Sequence, residues 1–146
     1  MITEALNNLL QDEKAALATY NDALSHFTEG PSRGQIRLIQ DLHSRNILAL
    51  RNLIQKHNGI PRNDITFWDS CRNALQSAAS LLGQKAVALA LGREEERLQR
   101  IYHRALENRD LDDGCRSVIH ASLLPQINRA LGHLEELQTH LRQKAG

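Results

Sequence analysis

Aromatic residues, proline and cysteine are scarce in this chain of 146 residues. One tryptophan, two tyrosines and two phenylalanines leave a core that must be mostly aliphatic, and three prolines leave long stretches free to form helices. The two cysteines, Cys71 and Cys115, show no CxxC motif and no Cys/His spacing typical of a zinc site. We therefore interpret them as buried or idle thiols in a reducing compartment.

Long uncharged apolar runs are also absent. No such run approaches the about 20 residues that are needed to span a bilayer, and the first residues, Met-Ile-Thr-Glu-Ala-Leu, lack the regions of a secretory signal. Eighteen basic and seventeen acidic residues alternate in sign, as in the Arg-Glu-Glu-Glu-Arg run of 93–97. A nucleic-acid binder would carry a basic surplus on one face. These features predict a cytoplasmic protein with no membrane span and no nucleic-acid partner.

Apolar residues at helical spacing predict one all-α domain over residues 1–146. Four main helices are expected, over about 3–27, 34–57, 84–108 and from after Gly114 to about 143. Gly30-Pro31 breaks the chain after the first helix, and Asn58-Gly59 ends the second. Short turns join the helices within each pair, so we expect two antiparallel hairpins, over 3–57 and 84–143.

The link between the hairpins, 58–83, is much longer than either turn. It contains Trp68 and an amphipathic segment, 70–82, which we interpret as a short extra helix. A link of this length can cross the whole bundle and make the second and third helices parallel, which is the ferritin-like arrangement. Up-down-up-down order remains an alternative. The short helix is expected to cap its own bundle, with a weak homodimer or another protein partner as further possibilities.

The first and third helices share a pattern of four residues at matched spacing. One copy reads Glu13, Tyr20, Ala23 and Leu24, and the other reads Glu95, Tyr102, Ala105 and Leu106. Both tyrosines of the chain take part in it. The pattern favours two hairpins of common design. Chance similarity between amphipathic helices is the alternative.

Polar residues interrupt the apolar stripe of each helix near its middle. Stepping along the helical period from buried leucines reaches a polar position in each helix, and the heights of these positions agree within about 6 Å in a ferritin-like order. The sequence therefore predicts a buried polar layer made of Glu13, Asn46, Glu94, Glu95, Gln126 and Arg129. Pro125 lies beside this layer and predicts a kink that frees the carbonyl of Ala121.

Buried glutamates need a partner, a metal or a proton. Two inward glutamates are half of a carboxylate-bridged di-metal site, whose other half is a Glu-x-x-His on each second helix. The places expected for that motif read Gln-Asp-Leu-His over 40–43 and Gln-Ile-Asn-Arg over 126–129. We therefore favour a metal-free layer in which amides and Arg129 satisfy the carboxylates. A site for iron or another transition metal on Glu13, His43 and Glu95 is one alternative, and solvated glutamates are another.

Residues 94–107 and the end of the second helix, 53–61, resemble a bacterial ferritin-like family that is known only as a domain of unknown function. The resemblance covers nearly the whole chain and implies a ferritin-like four-helix bundle with no established activity. Glu13 and Glu95 match acidic positions of the family pattern, whereas two further acidic positions are Ala90 and Gly92 here. We therefore expect a non-catalytic bundle that acts through protein contacts. A metal-binding protein with an incomplete ligand set is the alternative.

Overall fold

A computed structural model describes residues 1–64 and 68–145 of the chain. In that part, all regular structure is helical, which confirms the predicted all-α class. The helices are α1 (Ile2–Ala23), α2 (Gly30–Lys56), α3 (Trp68–Leu82), α4 (Gln84–Leu106), α5 (Asp113–Val118) and α6 (Leu124–Ala145). A 3₁₀ turn, Leu24–His26, extends α1, and a π turn, Ile119–Leu123, joins α5 to α6. Among these helices none is long and apolar enough to cross a membrane.

The ends of α2 follow from local sequence. The helix begins at Gly30, four residues before the predicted start, because Pro31 is tolerated in a first turn, where its missing N–H would have no helical partner. At the other end, Asn58 adopts a left-handed conformation with φ 62°. The N–H groups of Asn58 and Gly59 bond back to the carbonyls of Gln55 and Ile54, at 3.0 and 2.9 Å. These two backbone hydrogen bonds close the C-terminal end of the helix.

Contacts between helix ends give the direction of each helix. α1 packs against α2 and α4, and α6 packs against the same two helices. The amino group of Met1, before α1, lies 2.9 Å from Asp110, after α4. The His57 ring, after α2, lies 2.9 Å from Asp112, before α5. Each neighbouring pair is therefore antiparallel, and α2 and α4 run parallel to each other.

Polar side chains of α1 hold the first part of the crossover. The Asn7 amide donates to the carbonyl of Ile60 at 3.1 Å and accepts from the Arg62 N–H at 2.8 Å. One turn further along α1, Gln11 donates to Asp64 at 2.8 Å. These contacts guide the chain back along α1 after the end of α2. Trp68, predicted within this link, has a side chain outside the described part of the structure.

The core consists of two apolar clusters at different heights in the bundle. One gathers residues from the start of α1, the end of α2 and the α5 region, and the other lies where α2 and α4 begin. Leu75 of α3 is 2% exposed and belongs to the second cluster. The predicted short helix is thus confirmed, and it packs against its own bundle. Whether the chain dimerises stays a prediction.

Pro125 follows directly on the π turn. The Leu124 N–H bonds to the carbonyl of Ile119, five residues back, in place of the usual four. Proline has no N–H, and its ring crowds the preceding helical turn. The wider π turn lies in that preceding turn, where Pro125 would disturb regular α-helical hydrogen bonding. At the place where the sequence predicted a kink that frees the carbonyl of Ala121, the structure has a π turn.

Gly59 and Gly34 offer a matched test of this packing. A Cβ added at Gly59 would lie 2.6 Å from Cγ2 of Thr3 and 3.0 Å from Cγ2 of Ile54. We expect Gly59→Ala to lower the free energy of unfolding by about 1–3 kcal/mol. Gly34 lies inside α2 with open space around it, so Gly34→Ala should raise that free energy by about 0.5–1 kcal/mol. Urea unfolding measures both, and equal effects would contradict the close contact at Gly59.

Candidate functional site

Four polar side chains are buried at the centre of the bundle, between the two apolar clusters. Glu13 of α1 and His43 of α2 are 0% exposed, and Asn46 of α2 and Glu95 of α4 are 1% exposed. Three of the four belong to the predicted polar layer, and His43 was predicted as a metal ligand. The helical spacing of three residues puts His43 and Asn46 on the same inward face of α2.

His43 lies between the two glutamates. Its Nδ1 is 2.6 Å from Oε2 of Glu13, and its Nε2 is 3.0 Å from Oε2 of Glu95. A carboxylate accepts hydrogen bonds, so both ring nitrogens donate and the ring is an imidazolium. Burial alone would lower the pKa of His43, but the charges of Glu95 and Glu13 and their hydrogen bonds outweigh burial and raise it to about 10.

The two tyrosines close the network from opposite ends. The Tyr20 hydroxyl donates to Oε2 of Glu95 at 2.5 Å, and the Tyr102 hydroxyl donates to Oε1 of Glu13 at 2.6 Å. Each tyrosine of the sequence pattern therefore bonds to the glutamate of the other copy. Burial, followed by the negative charge of the bonded glutamate, raises the pKa of both hydroxyls well above the usual value. Tyr20 also stacks on His43, with ring centroids 5.3 Å apart.

Asn46 joins the network to the π turn. Its side-chain amide donates to Oε1 of Glu13 at 2.8 Å and to the backbone carbonyl of Leu123 at 3.1 Å. Leu123 is the last residue of the π turn. The irregular backbone before Pro125 is thus held by a side chain of the facing helix.

The two glutamates are not equally satisfied. Both oxygens of Glu13 accept hydrogen bonds, whereas Oε1 of Glu95 is buried and has no hydrogen-bond partner among the described residues. Two carboxylates and one imidazolium also leave one negative charge in excess. This oxygen is therefore the least satisfied polar atom of the network.

Three residues of the predicted layer lie outside it. Glu94 is 41% exposed and pairs with Arg97 at 3.2 Å, so the matched spacing that pointed to Glu95 was the better guide. Arg129 donates to Gln126 at 3.0 Å on the outer face of α6. The helical period did not distinguish Gln126 from Ile127, the next residue. Ile127 is the one that is buried, because an apolar side chain requires no hydrogen bonds. The predicted stabilisation of the glutamates by Arg129 was wrong.

The buried residues match a di-metal ligand set only in part. In such bundles two helices each supply a glutamate, and two supply an inward Glu-x-x-His pair. Here the inward pair of α2 at this spacing is His43 with Asn46. The inward pair of α6 is Leu124 with Ile127, both of which are buried and apolar. The His43 ring also separates the two glutamates, because they bond to opposite nitrogens. The predicted ligands Glu13, His43 and Glu95 are in contact but do not converge on one point.

A second cluster of polar groups lies at the end of the bundle, where α2 stops and α5 begins. His57 Nε2 is 2.9 Å from Oδ2 of Asp112 and 3.9 Å from Sγ of Cys115. The hydrogen bond to Asp112 raises the pKa of His57, and burial raises the pKa of the Cys115 thiol to about 11. Hydrogen bonds lower the pKa of Asp112, and the bond from the Cys115 N–H has a larger effect than the bond with His57. Sequence spacing could not reveal this cluster, since 55 residues separate His57 from Asp112.

Comparison with known proteins adds no family. No protein-family model matches the chain, and no curated protein or solved structure is significantly similar to it. The resemblance to a ferritin-like family therefore stays a prediction.

Asn46 and Arg129 test which residues form the layer. Asn46→Asp keeps the side-chain size but replaces the amide donor by a second carboxylate against Glu13. We expect a loss of about 3–5 kcal/mol at pH 7, because a buried charge is left without a partner. Arg129→Met should change the free energy of unfolding by no more than about 0.5 kcal/mol, since Arg129 is exposed. Urea unfolding of both variants decides, and a small effect at Asn46 would place Glu13 in contact with water.

His43 tests the charge state of the network. A histidine pKa raised to about 10 contributes stability that is fully present below its unfolded pKa of about 6.5 and is lost as pH rises through the folded value. Between pH 6.5 and 9 we expect this group to remove up to about 3 kcal/mol from the free energy of unfolding. His43→Gln should remove that part of the pH dependence. Identical slopes in wild type and variant would show that the ring is neutral.

Proposed function

We propose that this chain is a ferritin-like bundle with no metal centre in its core, and that it acts non-catalytically through contacts with other proteins. The observation that carries the proposal is the position of His43 between Glu13 and Glu95. A cation bridging two carboxylates is what a metal provides in a di-metal bundle. Here the imidazolium supplies that positive charge, and both of its nitrogens are engaged. The parallel direction of α2 and α4 supports the ferritin-like arrangement.

The closed environment of the network argues against catalysis in the core. Its glutamates, histidine, asparagine and tyrosines are each no more than 2% exposed. The groove between α1 and α4 that reaches Tyr20 and Glu95 has a volume of about 20 Å³. A space of that size holds one water molecule, since about 10–15 Å³ is enough for one. Among the described residues, this groove therefore leaves no room for a substrate larger than water beside Tyr20 and Glu95.

Exposed apolar side chains on the surface support the proposal. Leu48 of α2 is 62% exposed, and Leu38 of α2 and Leu89 of α4 are each 50% exposed. Leu82 at the end of α3 is 77% exposed as well, whereas Leu75 of the same helix is buried within the chain. A weak homodimer or a different protein partner would both fit these positions.

The rival proposal is a metal-binding core with an incomplete ligand set. One observation favours it, namely the buried Oε1 of Glu95 that has no hydrogen-bond partner among the described residues. Carboxylate oxygen is a ligand for iron, manganese and zinc. Metal binding at this point would have to displace His43 from Glu95 or use a single carboxylate.

Metal analysis of the purified protein separates the two proposals. Cells are supplemented with iron, manganese and zinc, and metal per chain is measured for wild type, Glu13→Gln and Glu95→Gln. Glu94→Gln, one residue from the network and partly exposed, is the matched control. We expect no metal that depends on Glu13 or Glu95, because the His43 ring already occupies the position between them and bonds to both. One metal ion per chain that is lost in both core variants and kept in the control would establish the rival.

A further inference from the structure

The cluster at the end of the bundle has the chemistry of a metal site. We propose that His57, Asp112 and Cys115 bind one divalent ion of the zinc class, independently of the core network. The three residues offer one nitrogen, one oxygen and one sulfur atom, all within 4.8 Å of one another. Zinc binds this mixture of ligands in proteins, commonly with three protein ligands and a water molecule in the fourth position.

The two distances from Nε2 of His57 to the other ligand atoms bracket those of a tetrahedral site, and all three ligand atoms lie within 4.8 Å of one another. Zinc bonds of about 2.0–2.3 Å at tetrahedral angles place ligand atoms about 3.3–3.6 Å apart. The His57 and Asp112 atoms are 2.9 Å apart, and the His57 and Cys115 atoms are 3.9 Å apart. Small shifts of the His57 ring and the Asp112 carboxylate would therefore admit the ion. The site opens to solvent on one side, since 47% of the Asp112 side chain is exposed.

The surroundings already orient all three ligands. Nδ1 of His57 is 2.9 Å from the carbonyl of Leu53, which leaves Nε2 to face the other two ligands. A histidine that ligates a metal usually donates its second nitrogen in this way. Oδ1 of Asp112 accepts the Cys115 N–H at 2.8 Å, so Oδ2 remains for the ion. The ligands are thus held by backbone groups that metal binding does not need to break.

The charge of the ligand set suits a divalent ion. Nε2 of His57 faces the Asp112 carboxylate and the Cys115 thiol, while Nδ1 faces the Leu53 carbonyl. On binding, the Cys115 thiol would release its proton to solvent, as would Nε2 of His57 where it carries one. One thiolate and one carboxylate then balance the two positive charges of the ion. Bound metal would link the end of the first hairpin to the start of the second.

Cobalt(II) is a direct probe of this site, because its bond to a thiolate produces a near-ultraviolet absorption band. The full chain is freed of metal by chelation under reducing conditions and titrated with Co²⁺, followed by displacement with Zn²⁺. We expect a thiolate band that saturates at one cobalt per chain and disappears when zinc is added. Zinc should also raise the melting temperature of the wild type, because an ion bound to the folded state stabilises it.

Matched variants assign the ligands. Cys115→Ser should abolish the thiolate band, whereas Cys71→Ser, which removes the other thiol, should leave it unchanged. His57→Gln should weaken zinc binding by more than about tenfold, since even outer-shell partners of metal ligands are worth about 10–100-fold. Circular dichroism checks that each variant is folded, and the zinc-dependent melting shift gives a second readout.

A core variant tests this site separately from the core network, where we propose that no metal binds. Glu13→Gln should retain both the cobalt band and the zinc-dependent shift. Absence of a thiolate band in folded wild type, or a band that survives in Cys115→Ser, would overturn the site. In that case His57 and Asp112 serve as a hydrogen-bonded pair between helix ends, and the proposal for the core is unaffected.

Discussion

The structure depends on one buried positive charge, the His43 imidazolium between Glu13 and Glu95. A carboxylate without a partner in this position would cost several kcal/mol, and two of them would repel each other. The ring gives each glutamate a charged donor, and its orientation is fixed by the stack on Tyr20. Because the apolar clusters lie on either side of this network, the way the helices pack at both ends is tied to the position of one histidine.

The network combines a near-symmetric part with an asymmetric one. Glu13 with Tyr102 and Glu95 with Tyr20 form two equivalent pairs that cross between the copies of the pattern. The helices that complete the two hairpins differ, since α2 supplies His43 and Asn46 whereas α6 supplies apolar side chains. A symmetric ligand set, with a polar pair on both α2 and α6, would leave room for two cations. Here only α2 supplies such a pair, which leaves room for one cation, and that cation is the His43 imidazolium.

Much of the fold and three of the four polar residues buried at the centre of the bundle could be predicted from the sequence as members of a polar layer. Glu13, Asn46 and Glu95 follow from the helical period and from the matched spacing of the two tyrosines. Gln126 and Arg129 could not be excluded in this way, because the period does not distinguish Gln126 from the apolar residue beside it. The contact between His57 and Cys115 depends on how the two hairpins meet, and local spacing carries no information about that.

The two polar clusters are joined by α2, and both connect the two hairpins. His43 lies within α2 and His57 directly follows its end, about 21 Å away at the rise of an α-helix, and each contacts groups from the second hairpin. Apolar side chains supply most of the favourable free energy of burial but tolerate shifts of one helix along another. Charged hydrogen bonds do not, because a shift of a few ångströms would leave ionised groups without partners. The polar contacts of α2 therefore determine how the hairpins align, while the apolar clusters determine how strongly they associate.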